Sequence, residues 1–111
     1  LRVEDLKFDV KTGLLPVIVQ DAVTREILMM AYANREAIEK TVETGLSHFY
    51  SRSRMKLWLK GEESGNIQVV KDILVDCDGD AVIYLVEPKG PACHTGERTC
   101  FHNRLTSSPG P

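Results

Sequence analysis

Apolar and polar positions alternate along much of this chain, and the alternation divides it into six strand-like segments around one helix. Residues 14–22 (LLPVIVQDA) and 25–33 (REILMMAYA) read as two strands around a turn near Val23 and Thr24. Met29 and Met30 read there as flexible core filler. Asn34 has the side chain of a helix N-cap, REAIEKTVET follows it, and Gly45 supplies a stop. Within that helix Ile38 and Val42 share a face, and Glu36 pairs with Lys40 at the same spacing. Residues 47–51 and 56–60 read as strands joined by the polar turn 52–55, and 61–66 (GEESGN) as a loop. In 67–76, Ile67, Val69, Ile73 and Val75 fall on one face, while Gln68, Asp72 and Asp76 fall on the other. Residues 80–87 (DAVIYLVE) form a last strand, and 88–105 is too rich in turn formers and too long for an idle loop. The expectation is a compact, strand-rich α+β fold, mainly antiparallel, with one principal helix. It fills a single domain over 1–105, and TSSPGP at 106–111 reads as a disordered tail or linker.

Composition adds boundaries rather than identity. At 111 residues with 42% apolar and 27% charged positions, the chain suits one small folded domain. A net charge of −2 gives no reason to expect nucleic acid or an anionic membrane as partner. No apolar run approaches membrane-spanning length, and the first ten residues lack the apolar core of a signal peptide. Three cysteines are an odd number for a disulfide framework, so a reducing cytoplasm is the expected compartment. There, thiols bind metal, react, or pack as small buried hydrophobes.

The densest chemistry is DCDGD at 76–80, set between two strand patterns. Asp78 and Gly79 match a type I′ hairpin turn, which needs positive φ at both central residues. Such a turn leaves Asp76 and Asp80 unexplained. Asp76, Asp78 and Asp80 recur at every second position, and three converging carboxylates suit a hard cation such as Mg²⁺. If the strand continues through the stretch, Cys77 points away from them and offers a soft donor. Cys93 and Cys100 provide further thiols, though their spacing is wider than a structural zinc knuckle. Three thiolates leave a fourth zinc position for water, as in hydrolytic sites. His94 reads as a general acid or base beside Cys93, or as a hydrogen-bonded turn residue. His48 and His102 read as structural or exposed.

Arg52, Arg54, Lys56 and Lys60 surround Trp58 and precede Ser64, Gly65 and Asn66. Side chains and backbone amides of this kind can hold phosphate, although lysines also protect a solvated hairpin edge. Arg98, between two cysteines, admits the same pair of readings.

Taken together, VQDA with ILMMAYAN, SRSR with LW, KG and SGN, DCDGDA, and GPACHTGERTCF resemble the phosphoribosyl-AMP cyclohydrolase family of histidine biosynthesis. The resemblance runs from about Leu15 to His102 in unbroken order. It implies hydrolysis of the N1–C6 bond of the adenine ring in N1-(5-phosphoribosyl)-AMP, a nucleotide substrate, by an intertwined homodimer that uses zinc and magnesium. It further implies that Cys77, Cys93 and Cys100 are zinc ligands drawn from two subunits and that Asp76, Asp78 and Asp80 are magnesium ligands. His94 would then assist proton transfer. Arg52, Lys60, Ser64 and Arg98 are the expected phosphate contacts, with Trp58 packing a ring. Some members carry a second domain that hydrolyses phosphoribosyl-ATP, an activity not expected of a chain ending shortly after Cys100. Two rivals differ in outcome: a zinc-dependent nucleotide deaminase, whose H-x-E and P-C-x-x-C signature is missing here, and a non-catalytic zinc-stabilised binding module.

Overall fold

The computed structural model describes residues 1–106; residues 107–111, most of the expected tail, lie outside the described residues. After a short 3-10 turn at Val3–Asp5, the elements follow the expected order. β1 (Leu15–Asp21) and β2 (Ile27–Ala33) pair antiparallel, and α1 (Arg35–Thr44) follows. β3 (His48–Ser51) and β4 (Lys56–Leu59) form a separate antiparallel hairpin. β5 (Gln68–Val75) and β6 (Val82–Pro88) form another, joined to β1 so that the sheet order is β2-β1-β6-β5. β1 and β6 run parallel, the one departure from antiparallel pairing among these strands. The fold is therefore α+β, mainly antiparallel, with one main helix.

Asn34 caps α1 as its sequence implies, accepting the Ala37 amide at 2.8 Å, and Gly45 ends it with φ +74°. The helix buries Ala37, Ile38 and Thr41, whereas Val42 is 61% exposed, contrary to its expected pairing with Ile38. The inward stripe is set by Thr41, whose hydroxyl donates to Ala37 O (2.8 Å) and accepts the His48 amide (3.0 Å). Locking helix to β3 through one buried hydroxyl turns Val42 outward. The helical i,i+4 ion pair is Arg35–Glu39 (3.3 Å) in place of Glu36–Lys40.

One side of the sheet forms the core, where Val17, Val19, Val82, Tyr84 and Val86 pack under Ile38 and Phe49. Fully burying each such side chain contributes roughly 1.5–3 kcal/mol. Met29 is buried in this layer, but Met30 faces the opposite side, as adjacent strand residues must. Gln68 also departs from expectation: it is buried, opposite Pro88, not on the solvent face with Asp72. A bulge at Lys71, between Val70 and Asp72, shifts the phase of β5, so Gln68 and Val70 lie on the same side as Ile73 and Val75.

The other side of the sheet is apolar too. Met30 faces Ile18, Ile18 faces Ile83, and Ile83 faces Leu74, so one row crosses all four strands. Met30, Ile18 and Leu74 are 41%, 37% and 42% exposed.

Candidate active site

Three groups of side chains that could do chemistry stand on different parts of the fold. The first is the β5–β6 tip. Gly79 N–H donates to Asp76 O (2.9 Å), so Cys77 and Asp78 are the central turn residues, and only Gly79 has positive φ (+77°). The expected type I′ turn centred on Asp78 and Gly79 is therefore not formed. The geometry instead closes one residue earlier and uses Gly79 to return the chain to β6. This also corrects the expected orientation of Cys77. Its thiol and the carboxylates of Asp76 and Asp78 offer ligand atoms within 4.8 Å of one another, all exposed. A turn, unlike a strand, does not alternate faces, so soft and hard donors share one tip. Asp80 stands beside Asp76, and hydrogen bonding to Asp76 is the largest cause raising its carboxyl above the usual carboxylate range. Asp78 adds a smaller charge effect in the same direction, so the three aspartates stand near one another. The tip is tied down by Lys7 N–H, which donates to Gly79 O at 2.7 Å.

The second group lies on the loop after β6. Ala92 N–H donates to Arg98 O and Cys93 N–H to Glu97 O, so the loop folds back on itself. Cys100 N–H then donates to Leu28 O (2.8 Å), which docks the loop on the start of β2. Cys93 is buried and Cys100 exposed. Hydrogen bonds from the Thr95 hydroxyl (3.0 Å) and amide, then from His102, bring the Cys93 thiol down to about 6. Contact with Cys100 adds to this, and desolvation opposes it. Cys100 moves the other way: desolvation first, then the charge of Cys93, push it up, with Lys60 opposing. A pair of adjacent thiols, one held as thiolate near neutral pH, is the donor set that suits a soft metal such as zinc. His94 is exposed beside Cys93. His102 was not expected here, yet its Nε2 lies 3.8 Å from Cys93 Sγ. It reaches Cys93 from nine residues away, a contact no local spacing signals, whereas Thr95, two residues after Cys93, lies within the turn closed by Gly96 N–H on Cys93 O (3.0 Å).

Arg98 belongs to this loop, but its guanidinium is engaged by protein carboxylates. Nη2 donates to Asp21 Oδ2 (2.6 Å), and Nε pairs with Glu26.

The third group is the β3–β4 hairpin. Arg52 lies over the Tyr32 ring, 4.2 Å from its centroid, in a hollow of about 570 Å³ also lined by Trp58. Arg54 and Lys56 line a second hollow of about 330 Å³, which Trp58 also borders. Trp58 itself packs on Phe49, with ring centroids 5.0 Å apart. Ser64 is exposed on the following loop, its hydroxyl accepting the Asn66 amide at 3.1 Å.

The first two groups stand at opposite ends of the sheet. The tip precedes β6 and the Cys93–Cys100 loop follows it, and seven extended residues separate the ends by roughly 20 Å.

Fold and site define a small α+β domain with a thiol pair at one end of its sheet and a thiol–carboxylate cluster at the other. A family model described as phosphoribosyl-AMP cyclohydrolase matches residues 29–102, and the chain belongs to that family. A phosphoribosyl-AMP cyclohydrolase of Nitrosopumilus maritimus is 66% identical over 103 residues, covering 93% of this chain and 95% of that one. One from Archaeoglobus fulgidus is 61% identical, covering 91% and 93%. The histidine biosynthesis bifunctional protein HisIE of Thermus thermophilus is 64% identical over 90% of this chain, which spans 46% of that protein. Among the described residues no helix is long and apolar enough to cross a membrane.

Proposed function

We propose that this chain hydrolyses the N1–C6 bond of the adenine ring in N1-(5-phosphoribosyl)-AMP, in histidine biosynthesis, as a cytoplasmic homodimer using zinc and magnesium. The observation that carries the reading is membership of the cyclohydrolase family along nearly the whole chain, including both cysteine-bearing groups.

Cys93 and Cys100 of one copy would hold zinc together with Cys77 of a second copy. The opposite placement of these thiols along β6 supports a shared site, because one copy does not bring Cys77 to the pair. The exposed apolar row through Met30, Ile18, Ile83 and Leu74 supports a second copy covering that sheet face. Asp76, Asp78 and Asp80 would hold magnesium, which relieves their mutual repulsion.

Zinc bound by thiolates lowers the pKa of water towards neutrality and so supplies a nucleophile at physiological pH. In the reaction, water oxygen adds to C6, the C6–N1 bond breaks, and a proton is delivered to N1. His94, exposed beside Cys93, is the group that takes and returns that proton. The substituent at N1 leaves the ring cationic, which makes C6 a better electrophile. Trp58 offers an aromatic face for a ring, while Arg52, Lys60 and Ser64 hold phosphate. Arg98, already paired with Asp21 and Glu26, is given no phosphate contact in this reading.

Adding N1-(5-phosphoribosyl)-AMP to protein loaded with both metals should change the ultraviolet spectrum as the purine opens, with no ammonia released. An unchanged spectrum at verified metal content contradicts the reading, and ammonia release points to deamination instead.

A further inference from the structure

Arg98 is the residue through which the cysteine loop is fastened to the body of the fold. Its backbone carbonyl accepts the Ala92 amide (3.1 Å), immediately before Cys93. Its guanidinium reaches across to the β1–β2 turn, where Nη2 meets Asp21 Oδ2 at 2.6 Å and Nε meets Glu26. The next residue continues the attachment: Thr99 Oγ1 donates to Ile27 O at 2.7 Å, and Cys100 N–H donates to Leu28 O at 2.8 Å. Three consecutive residues thus stitch the far leg of the loop to one short stretch, 21–28.

Asp21 is built for this purpose. It is 5% exposed, and its Oδ1 accepts the amides of Val23 (2.8 Å) and Thr24 (3.0 Å) while Oδ2 faces Arg98. The amide bonds, Thr24's foremost, hold its carboxyl below the usual carboxylate range against desolvation, and Arg98 adds to the effect. The buried carboxylate is held by two amides of its own turn, and a planar guanidinium that spans it and Glu26 transmits position as well as charge. Glu26, at the other side of the same turn, fixes the second edge of the guanidinium.

We propose that Arg98, clamped by Asp21 and Glu26, is a positioning residue that sets the placement of Cys93 and Cys100 for metal binding, not a phosphate ligand. This rests on the reading of those thiols as zinc ligands. Removing the fork frees the loop to shift, so the thiol pair no longer meets the metal in one arrangement. Support of this indirect kind around metal ligands typically changes affinity by roughly 10–100-fold.

The test compares Arg98→Gln, Arg98→Lys and Glu26→Gln, the last replacing a half-exposed carboxylate whose loss leaves the buried Asp21 cap in place. Zinc affinity is read by competition with a chromophoric chelator, and site geometry by the visible spectrum of the cobalt-substituted protein. Arg98→Gln should weaken zinc by about ten-fold or more, alter the cobalt–thiolate bands, and lower kcat with little change in KM. Glu26→Gln should move the same readouts in the same direction, and Arg98→Lys should recover only part of the loss, because an ammonium cannot fork. In metal-free protein, hydrogen exchange at the Ala92 and Cys100 amides should quicken in Arg98→Gln. Raised KM with unchanged zinc affinity and a silent Glu26→Gln would instead mark a phosphate contact and overturn the proposal. A fall in Tm alone, with cobalt spectrum and exchange unchanged, overturns it as well. Wild-type protein that shows no cobalt–thiolate band removes the zinc reading itself, and the exchange data then still decide whether Arg98 holds the loop.

Discussion

Cys93 concentrates the chemistry of the cysteine loop in one atom. Thr95 donates to its sulfur from hydroxyl and backbone, His102 Nε2 lies 3.8 Å away, and the thiol is lowered to about 6. Since the depressed value favours the ionised form, thiolate predominates above that pH and thiol below it. In metal-free Cys77→Ser protein, thiolate absorbance near 240 nm should therefore rise in two separated steps, the first near pH 6 from Cys93. Thr95→Val should move that first step up by about one unit. A single step near the ordinary thiol value in both proteins contradicts this arrangement. The residues that make this thiol unusual were only partly legible in the sequence. Cys93 and His94 are conspicuous by type, whereas Thr95 acts from within the Cys93–Gly96 turn and His102 from nine residues along the chain, brought back by the fold of the loop. Cys77 shows the converse case, since strand alternation predicts it opposite the aspartates but residues 76–79 form a turn. Once Gly79 takes the left-handed position, Cys77 joins Asp76 and Asp78 rather than opposing them.

At the scale of elements, chain segments are positioned by a few close approaches. Gly90, just after β6, is one: a methyl group there would overlap Asn66 Oδ1 and Cγ and lie 3.1 Å from its Cβ. Asn66 belongs to the loop before β5, so this contact sets the start of the cysteine loop against a neighbouring connection. Gly90→Ala should lower stability by roughly 1–3 kcal/mol, measured by urea unfolding. Asn66→Ala in the same chain should recover most of the loss, and additive destabilisation by the two changes would show that they do not meet. Strands, the helix and both of its caps were readable because periodicity and capping chemistry are local. The phase of β5 was not. Its apolar positions suggest unbroken alternation, but the bulge at Lys71 depends on how β5 fits β6, information no single strand carries. Val42 departs from its periodicity for a related reason, since the inward face of α1 follows a hydroxyl shared with β3.

The whole molecule presents its reactive groups as though divided. Cys77 and the aspartates stand at one end of the sheet, Cys93 and Cys100 at the other, and an apolar row lies open between the edges. In the proposed dimer, a two-fold pairing of copies would turn this separation into two complete sites, each with Cys77 from one copy and the thiol pair from the other. Family membership made the activity legible from the sequence. The proposal of a site shared by two copies draws support from where β6 places its ends, a placement that composition and spacing do not reveal. The most direct measurement is complementation between two inactive variants. Cys77→Ala and Cys93→Ala should each lack zinc-dependent hydrolysis alone. Unfolded together and refolded in equal amounts, they should recover about a quarter of wild-type activity, because half of randomly paired dimers are mixed and each holds one intact site of two. No recovery in demonstrably mixed dimers would contradict a site shared between copies.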